Sequence, residues 1–328
     1  MTMAQGQQHA DVALGHYDLP EGSRARLISL SENATFLVES DHPLGVLRVY
    51  RPGYQSDSSK ESELAWIAAI RDSGTVHTPA PLPTANGDIL FRVDVDGEER
   101  AVVMFEFIPG AELGDEDMET FTKVGVSAAR LHRQVLSWSP PNWFDRPVWD
   151  VEDILGADPR WGDWRSGPGI SEAGHEVLEQ CESRLRERLA VYPQTVGNSG
   201  LVHCDLRAAN ILADDAGELW VIDFDDCGFS WFLWDLCSTT TFLEHTPIVG
   251  DVVEAWLDGY LSVRQLSALD LDLIPDLVML RRLHLLAWLG THPESDLAAS
   301  LGDSYAEATV EVASKYLAGG FLADRKPR

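Results

Sequence analysis

Polar side chains of the kinds that phosphoryl transfer needs are concentrated in one segment of the chain. His203, Asp205 and Arg207 alternate along the sequence, Asn210 follows, and a second acidic group begins at Asp223. Phosphoryl transfer requires a group that orients the acceptor hydroxyl, oxygen ligands that hold Mg²⁺ against the phosphates, and cations that stabilise charge on the transferred group. This segment supplies all three kinds of group.

The order and spacing of these residues carry more information than each residue alone. An isolated His-x-Asp is most often part of a surface loop, and Asp-Phe-Asp is an ordinary end of a strand. In this chain Asn210 lies five residues after Asp205, and Asp223 lies thirteen residues after Asn210. Because the whole pattern is improbable by chance, the combination predicts a kinase-like site. Short apolar runs at 201–202 and 220–222 indicate strands that alternate with the polar loops.

The order His203-x-Asp205, Asn210 and Asp223-Phe224-Asp225 resembles the catalytic segment of the aminoglycoside phosphotransferase and choline kinase superfamily. Further segments resemble its homoserine kinase type II and stress-response kinase branches, namely Glu32–Phe36, Leu47–Tyr50, Glu63–Trp66 and Leu131–His132. Those proteins share the protein-kinase fold. The resemblance covers most of the chain, and it implies transfer of the γ-phosphate of ATP, with GTP as the alternative nucleotide, directly in line to a hydroxyl group.

The resemblance also implies roles for individual residues. Asp205 would be the catalytic base or hydroxyl-orienting carboxylate, and Arg207 would contact the transferred phosphate. Asn210 and Asp223 would ligate the Mg²⁺ that bridges the nucleotide phosphates, and Asp225 would extend that metal site.

Arg48 occupies the third-strand position where this fold usually carries a lysine for the α and β phosphates. A guanidinium can also bind phosphate, in a bidentate manner. The resemblance implies a carboxylate partner for it on the following helix. Glu63 and Glu61 both qualify, and helical spacing favours Glu63.

No glycine-rich loop lies between the first two predicted strands. Ser31–Ala34 would therefore cover the phosphates in its place. By analogy with the fold, adenine would lie against the backbone of Glu106, Phe107 and Ile108.

The first third of the chain predicts an antiparallel sheet. Segments rich in Val, Ile and Phe, separated by turn residues, have the character of strands: Arg26–Leu30, Ala34–Glu39, Val46–Tyr50, Ile89–Val93 and Ala101–Phe107. One helix is predicted over Ser59–Asp72, with Glu63, Ile67 and Ile70 on one face. Residues 1–23 are polar and show no period, which predicts a loose N-terminal arm.

Beyond Phe107 the pattern becomes helical, and Pro109 and Gly110 indicate a hinge there. Long helices are predicted over Met118–Leu136, Glu172–Ala190, Val249–Leu261, Leu273–Leu289 and Ser304–Leu317. With the resemblance, these patterns predict a bilobal, protein-kinase-like α+β fold. Its parts would be an arm over 1–23, a nucleotide-binding lobe over 24–107, and a mostly helical catalytic and acceptor-binding lobe over 108–328.

Composition bounds the class of partner. The chain has 53 acidic and 25 basic residues and a formal charge of −28, which would repel a nucleic-acid backbone and an anionic membrane surface. No stretch is long and apolar enough for a membrane helix, and the scattered cysteines indicate neither a disulfide framework nor a zinc site. These observations predict a cytoplasmic protein.

The sequence does not identify the molecule that accepts the phosphate. The resemblance implies a small molecule, namely an amino alcohol, a hydroxy amino acid or an aminoglycoside-like compound. The alternatives are a Ser/Thr kinase for proteins or peptides and a catalytically silent nucleotide-binding protein.

Several other polar and aromatic residues favour structural roles. Asp235 is expected to anchor the catalytic loop by accepting backbone hydrogen bonds. His132 and His284 are expected to be packing histidines with satisfied hydrogen bonds. Packing is also favoured over lining an acceptor pocket for a group of tryptophans, Trp138, Trp143, Trp149, Trp161 and Trp164.

Overall fold

The computed structural model describes residues 2–30, 33–114, 117–293 and 295–324. Ser31 and Glu32, two of the residues predicted to cover the phosphates, lie outside the described residues. The chain divides into two units. The first comprises Met1–Ala111, Pro140–Asp145 and Ala213–Ile222, and the second comprises Glu112–Ser139, Arg146–Leu212 and Asp223–Arg328.

The first unit is built on a six-stranded antiparallel sheet. Its strands are β1 (Arg24–Leu30), β2 (Ala34–Glu39), β3 (Pro43–Val49), β4 (Pro81–Leu82), β5 (Phe91–Val95) and β6 (Glu98–Glu106). They lie in the order β1-β2-β3-β6-β4, and β5 also pairs with β6. Each of the predicted strands is present, with bounds shifted by a few residues, while the two-residue β4 was not predicted.

The predicted helix of this unit is confirmed as α2 (Asp57–Ser73). Ser56 caps its first turn by accepting a hydrogen bond from the Ser59 amide, and Gly74 ends it in the left-handed conformation with φ of 61°. Glu63 and Ile70 lie on its buried face, as the spacing predicts. The helix therefore carries one carboxylate into the apolar interior of the unit.

The loose N-terminal arm predicted over residues 1–23 is wrong for its first half, because Met3–Leu14 form a helix, α1. Thr2 and Gln5 form a capping box at its start. Ala10 and Ala13 pack into the core of the sheet. The buried face consists mainly of small residues, and such a face produces little apolar periodicity in the sequence.

The second unit is mostly helical. Its helices are α3 (Met118–Ser137), α4 (Val151–Leu155), α5 (Glu172–Leu189), α6 (Trp234–Thr239), α7 (Val249–Leu261), α8 (Ala268–Asp272), α9 (Ile274–Thr291), α10 (Asp296–Leu301) and α11 (Ser304–Leu317). All of the long helices predicted from the sequence are present. The remaining strands of the chain are short: β7 (Gly110–Glu112), β8 (Ser199–Val202), β9 (Ile211–Asp214), β10 (Leu219–Val221) and β11 (Gly228–Trp231). Of these, β8 and β11 belong to the second unit and β10 to the first, while β7 and β9 each contribute residues to both. No helix within the described residues has both the length and the apolarity to span a bilayer.

Helices α3 and α7 approach each other closely at two glycines. A Cβ atom added to Gly125 would lie 2.0 Å from the carbonyl oxygen of Trp256, and one added to Gly259 would lie 1.9 Å from that of Thr122. The two backbones therefore touch at positions where no side chain fits. This contact sets the position of Tyr260, the residue after Gly259, whose hydroxyl lies 3.0 Å from Nδ1 of His132 on α3.

We predict that Gly259→Ala lowers the free energy of unfolding by about 2 kcal/mol or more, because the added methyl group must separate two helix backbones. Gly250→Ala on the same helix is the matched control, since nothing lies within 4 Å of its added Cβ. We expect the control to be neutral or stabilising by up to about 1 kcal/mol, because alanine favours helix over glycine. Denaturant unfolding of both variants measures the difference, and equal stabilities would contradict the contact.

Candidate active site

The loop between β8 and β9 carries Asp205 and is held by a buried carboxylate. Asp235, near the start of α6, accepts hydrogen bonds from the backbone amides of His203 at 3.2 Å and Cys204 at 2.8 Å. Cys204 has a φ of 67°, a conformation that costs energy for a residue with a side chain. The predicted anchoring role of Asp235 is confirmed.

His132 and Tyr260 complete this anchor. The Nε2 atom of His132 lies 2.8 Å from Asp235, and its Nδ1 atom lies 3.0 Å from the Tyr260 hydroxyl. Because a carboxylate only accepts, Nε2 donates to Asp235 and Nδ1 accepts from Tyr260. Burial lowers the pKa of His132, which keeps the ring neutral in this arrangement. The expectation that His132 is a satisfied packing histidine is confirmed.

Asp205 lies at the centre of a set of donors. Arg207 donates from Nε to both carboxylate oxygens at 3.1 Å. The side-chain amide of Asn210 donates to Oδ2 at 2.7 Å, and Nη2 of Arg281 donates to Oδ1 at 3.1 Å. The structure thus brings together three of the residues predicted from the sequence, Asp205, Arg207 and Asn210.

The charges around Asp205 keep it ionised. Burial raises the pKa of this carboxyl group, but the guanidinium groups of Arg207 and Arg281 outweigh burial and hold the pKa below its usual value. The carboxylates of Asp205, Asp223 and Asp226 in turn raise the pKa of Arg207. Such a carboxylate can accept a hydrogen bond from a hydroxyl group and orient it.

The second acidic group, at 223–226, is fixed through its backbone. The guanidinium of Arg146 donates to the carbonyl oxygens of Asp225 and Cys227, the latter at 2.5 Å. Asp223 has a φ of 63°, and Asp225 is only 6% exposed. Carboxylate and amide oxygens are ligands that Mg²⁺ prefers. The role of Asp223, Asp225 and Asn210 as its ligands stays a prediction. Among the described residues, no group of three or more His, Cys, Asp or Glu side chains is arranged as a ready metal site.

In the first unit, Arg48 and Glu63 form a buried ion pair. Nη1 of Arg48 lies 2.7 Å from Oε1 of Glu63, and the hydroxyl of Tyr50 donates to Oε2 at 3.1 Å. The Arg48 guanidinium also lies 5.4 Å from the centre of the Phe105 ring. Glu61 is exposed, so the choice of Glu63 over Glu61 as the partner is confirmed. A role of this pair in nucleotide binding stays a prediction.

The residues predicted to contact adenine lie at and just beyond the end of β6. The backbone amide of Glu106 donates to the carbonyl oxygen of Ala80 at 2.8 Å, and the Glu106 carboxylate lies 3.8 Å from Arg71. Ile108 is buried. Their contact with a nucleotide stays a prediction.

Sequence reasoning missed Arg281 and misread His284. Both lie on α9, where apolar residues prevail, and buried charged residues are rare unless they are paired. The sequence did contain one signal for a buried charged group, because Arg281 and Arg282 interrupt an otherwise apolar helix. Neither ring nitrogen of the buried His284 has a hydrogen-bond partner among the described residues, so its expected hydrogen bonds are absent. Burial lowers its pKa well below the usual value, and the ring stacks on Trp161 at 4.0 Å between centroids.

Most of the tryptophan group packs in the interior. Trp149, Trp161 and Trp164 are buried, which confirms the packing role for these three. Trp143 is 50% exposed, so the packing role does not hold for this residue.

Comparisons with known proteins agree with this geometry. Residues 24–270 match the model of a family described as "Phosphotransferase enzyme family". The solved structure of a microcompartment-associated aminopropanol kinase shares 39% sequence identity, covers 98% of this chain and 99% of its own, and superimposes with a TM-score of 0.88.

Two amicoumacin kinases are more distant relatives. The enzyme of Bacillus subtilis (strain 168) is 26% identical over 287 residues, which are 84% of this chain and 81% of that protein. The structure of another amicoumacin kinase, in complex with AMP-PNP and Ca²⁺, is 19% identical, covers 98% of this chain and 97% of its own, and has a TM-score of 0.75. At that identity the likeness shows the kinase-like fold alone.

The family model covers most of the chain, and the loop that carries Asp205, Arg207 and Asn210 lies inside the matched range. The chain therefore belongs to the phosphotransferase enzyme family, and it is an enzyme of kinase-like fold that transfers a phosphoryl group to a hydroxyl group of a small-molecule acceptor.

Proposed function

We propose that this enzyme transfers the γ-phosphate of ATP to the hydroxyl group of a short amino alcohol. The observation that carries the proposal is the likeness to the aminopropanol kinase, which extends over almost the full length of both chains. The acidic composition is compatible with it, because a formal charge of −28 attracts an ammonium group rather than an anion.

Asp205 is the residue that acts on the acceptor. Its carboxylate accepts a hydrogen bond from the acceptor hydroxyl and directs the oxygen toward the γ-phosphorus. A new P–O bond forms as the bond between the γ-phosphorus and the β–γ bridging oxygen breaks, so that ADP leaves with the electron pair. The acceptor proton passes to Asp205 or to solvent, and no covalent enzyme intermediate is needed.

Other residues bind the nucleotide and its metal. Arg48, held by Glu63, binds the α and β phosphates, and the backbone of Glu106 and Ile108 contacts adenine. The oxygens of Asn210, Asp223 and Asp225 would hold Mg²⁺, which neutralises charge on the phosphates when it is bound. The amicoumacin kinase in complex with AMP-PNP and Ca²⁺ supports a nucleotide and a divalent cation as ligands. The alternative that GTP is the phosphate donor is tested by measuring kcat/KM with MgATP and with MgGTP.

We predict that Asp205→Ala lowers kcat by at least about 10³-fold, because orientation of the acceptor and stabilisation of its proton are both lost. Its affinity for MgATP should stay within about threefold of wild type, since Asp205 acts on the acceptor. Asp223→Ala should instead weaken MgATP binding by at least about tenfold, because a metal ligand is lost. Calorimetric titration with MgATP and steady-state kinetics separate the two effects. Equal losses of nucleotide affinity in both variants would contradict the division of roles.

We predict that purified enzyme with MgATP phosphorylates 1-amino-2-propanol or 3-amino-1-propanol at a higher kcat/KM than homoserine, choline or an aminoglycoside. Mass spectrometry of the products identifies the phosphorylated acceptor, and Asp205→Ala is the control for a contaminating kinase. The same mixture contains a generic protein substrate. Phosphate on that protein, with none on any small molecule, would replace this proposal with a Ser/Thr kinase.

A further inference from the structure

The two guanidinium groups that contact Asp205 lie in different surroundings. The side chain of Arg207 is 28% exposed, whereas that of Arg281 is 3% exposed. Arg207 belongs to the same loop as Asp205, only two residues away. Arg281 comes from α9, 76 residues further along the chain. One cation is therefore at the accessible side of the carboxylate, and the other is built into the interior of the second unit.

Arg281 is held in place by aromatic packing. Its guanidinium carbon lies 5.5 Å from the centre of the Trp161 ring and 5.7 Å from that of Trp234. Both rings are buried. At these distances the ring faces attract the cation. Withdrawal of Arg281 from Asp205 would break these contacts and move a charge through packed apolar residues.

Arg207 is held less firmly. Its Nε atom is shared between both oxygens of Asp205 at 3.1 Å, and its guanidinium lies 5.9 Å from the centre of the half-buried Phe242 ring. A single N–H shared between two acceptors points directly at neither. A phosphate group offers the same guanidinium a bidentate partner with better geometry. Arg207 is thus the more exposed of the two guanidinium donors and the one that a phosphate group can reach.

Asp205 cannot keep all of its donors and also receive a hydroxyl group. A carboxylate has about four lone-pair directions. Arg207 takes two of them, and Arg281 and Asn210 take one each. An acceptor hydroxyl needs one of these directions, so one donor must move when the acceptor binds.

We propose that Arg281 is the permanent positioning residue for Asp205, whereas Arg207 moves from Asp205 to the transferred phosphate in each turnover and thereby opens the carboxylate to the acceptor. The proposal rests on the proposed function, in which Asp205 orients the acceptor hydroxyl. With Arg207 on the phosphate, Arg281 supplies the remaining guanidinium contact to Asp205 among those described. The nucleotide thereby prepares the acceptor site, and Arg281 keeps the orientation of the carboxylate during the exchange.

The first test compares Arg281→Lys with Arg282→Lys. Arg282 is the matched control, because it is the next residue of α9, is fully buried, and pairs with Glu244 at 2.7 Å rather than with Asp205. Both substitutions keep the charge and lose the planar fork. We expect Arg281→Lys to lower kcat by about 10- to 100-fold with KM for MgATP within about twofold, since a positioning contact to the reacting carboxylate is weakened. The control should keep kcat within about threefold, and melting temperatures are recorded for both variants.

The second test measures binding of 1-amino-2-propanol by calorimetry in the absence of nucleotide, with wild type and Arg207→Gln. Because the Arg207 side chain is partly exposed, we expect the substitution to leave the fold intact. Glutamine removes the charge and can hold Asp205 only by a weaker, neutral hydrogen bond, so the carboxylate is more accessible without nucleotide than in wild type. We expect the variant to bind the amino alcohol about three- to tenfold more tightly than wild type does, although its kcat falls. Binding that is unchanged or weaker would overturn the exchange.

The outcomes separate failure of this inference from failure of the proposed function. A wild-type enzyme that phosphorylates no amino alcohol would remove the proposed function and the inference with it, whereas full transfer by Asp205→Ala would remove the role of Asp205 and the inference but leave the proposed acceptor in place. An inactive Asp205→Ala together with equal kcat values for Arg281→Lys and Arg282→Lys would overturn the role of Arg281 alone. If Arg281→Lys does not fold, the binding comparison of Arg207→Gln with wild type still decides the exchange.

Discussion

The buried carboxylate of Asp235 is the constraint on which the loop that carries Asp205 depends. A carboxylate without exposure is stable only when its oxygens are hydrogen-bonded, and Asp235 receives the amides of His203 and Cys204 together with the ring of His132. These bonds offset the cost of the left-handed backbone at Cys204. That backbone turn comes immediately before Asp205. The position of the Asp205 carboxylate therefore depends on the hydrogen bonds of a second carboxylate, which is fully buried.

The hydrogen bonds of Asp235 also depend on the packing of helices α3 and α7. His132 lies on α3 and is hydrogen-bonded to Tyr260 on α7, and these two helices meet backbone to backbone at Gly125 and Gly259. A neutral ring with one donating and one accepting nitrogen fits between a carboxylate and a hydroxyl group. Helix packing, an uncharged histidine and the geometry of the loop thus support one another, which is the consistency expected of a sequence that specifies one structure.

The sequence predicted what is encoded locally. The order of Asp205, Asn210 and Asp223 lies within one short stretch, and helices such as Val249–Leu261 repeat apolar residues at the helical period, so both could be recognised. The resemblance implied a carboxylate partner for Arg48, and helical spacing favoured Glu63 over Glu61 for that partner. Helix α1 was missed because alanines form much of its buried face. Arg281 was missed because its partner lies 76 residues away, and no local pattern reports a contact of that kind.

A crystal structure of the enzyme with Mg²⁺, a non-hydrolysable ATP analogue and 1-amino-2-propanol would test whether Asp205 orients the acceptor hydroxyl after Arg207 has moved to the phosphate. We expect the hydroxyl oxygen to lie about 3 Å from the Asp205 carboxylate, which is hydrogen-bond distance. We also expect Arg281 to remain on Asp205 while Arg207 contacts the γ-phosphate. A hydroxyl group bound away from Asp205, or Arg207 still on that carboxylate, would contradict this mechanism.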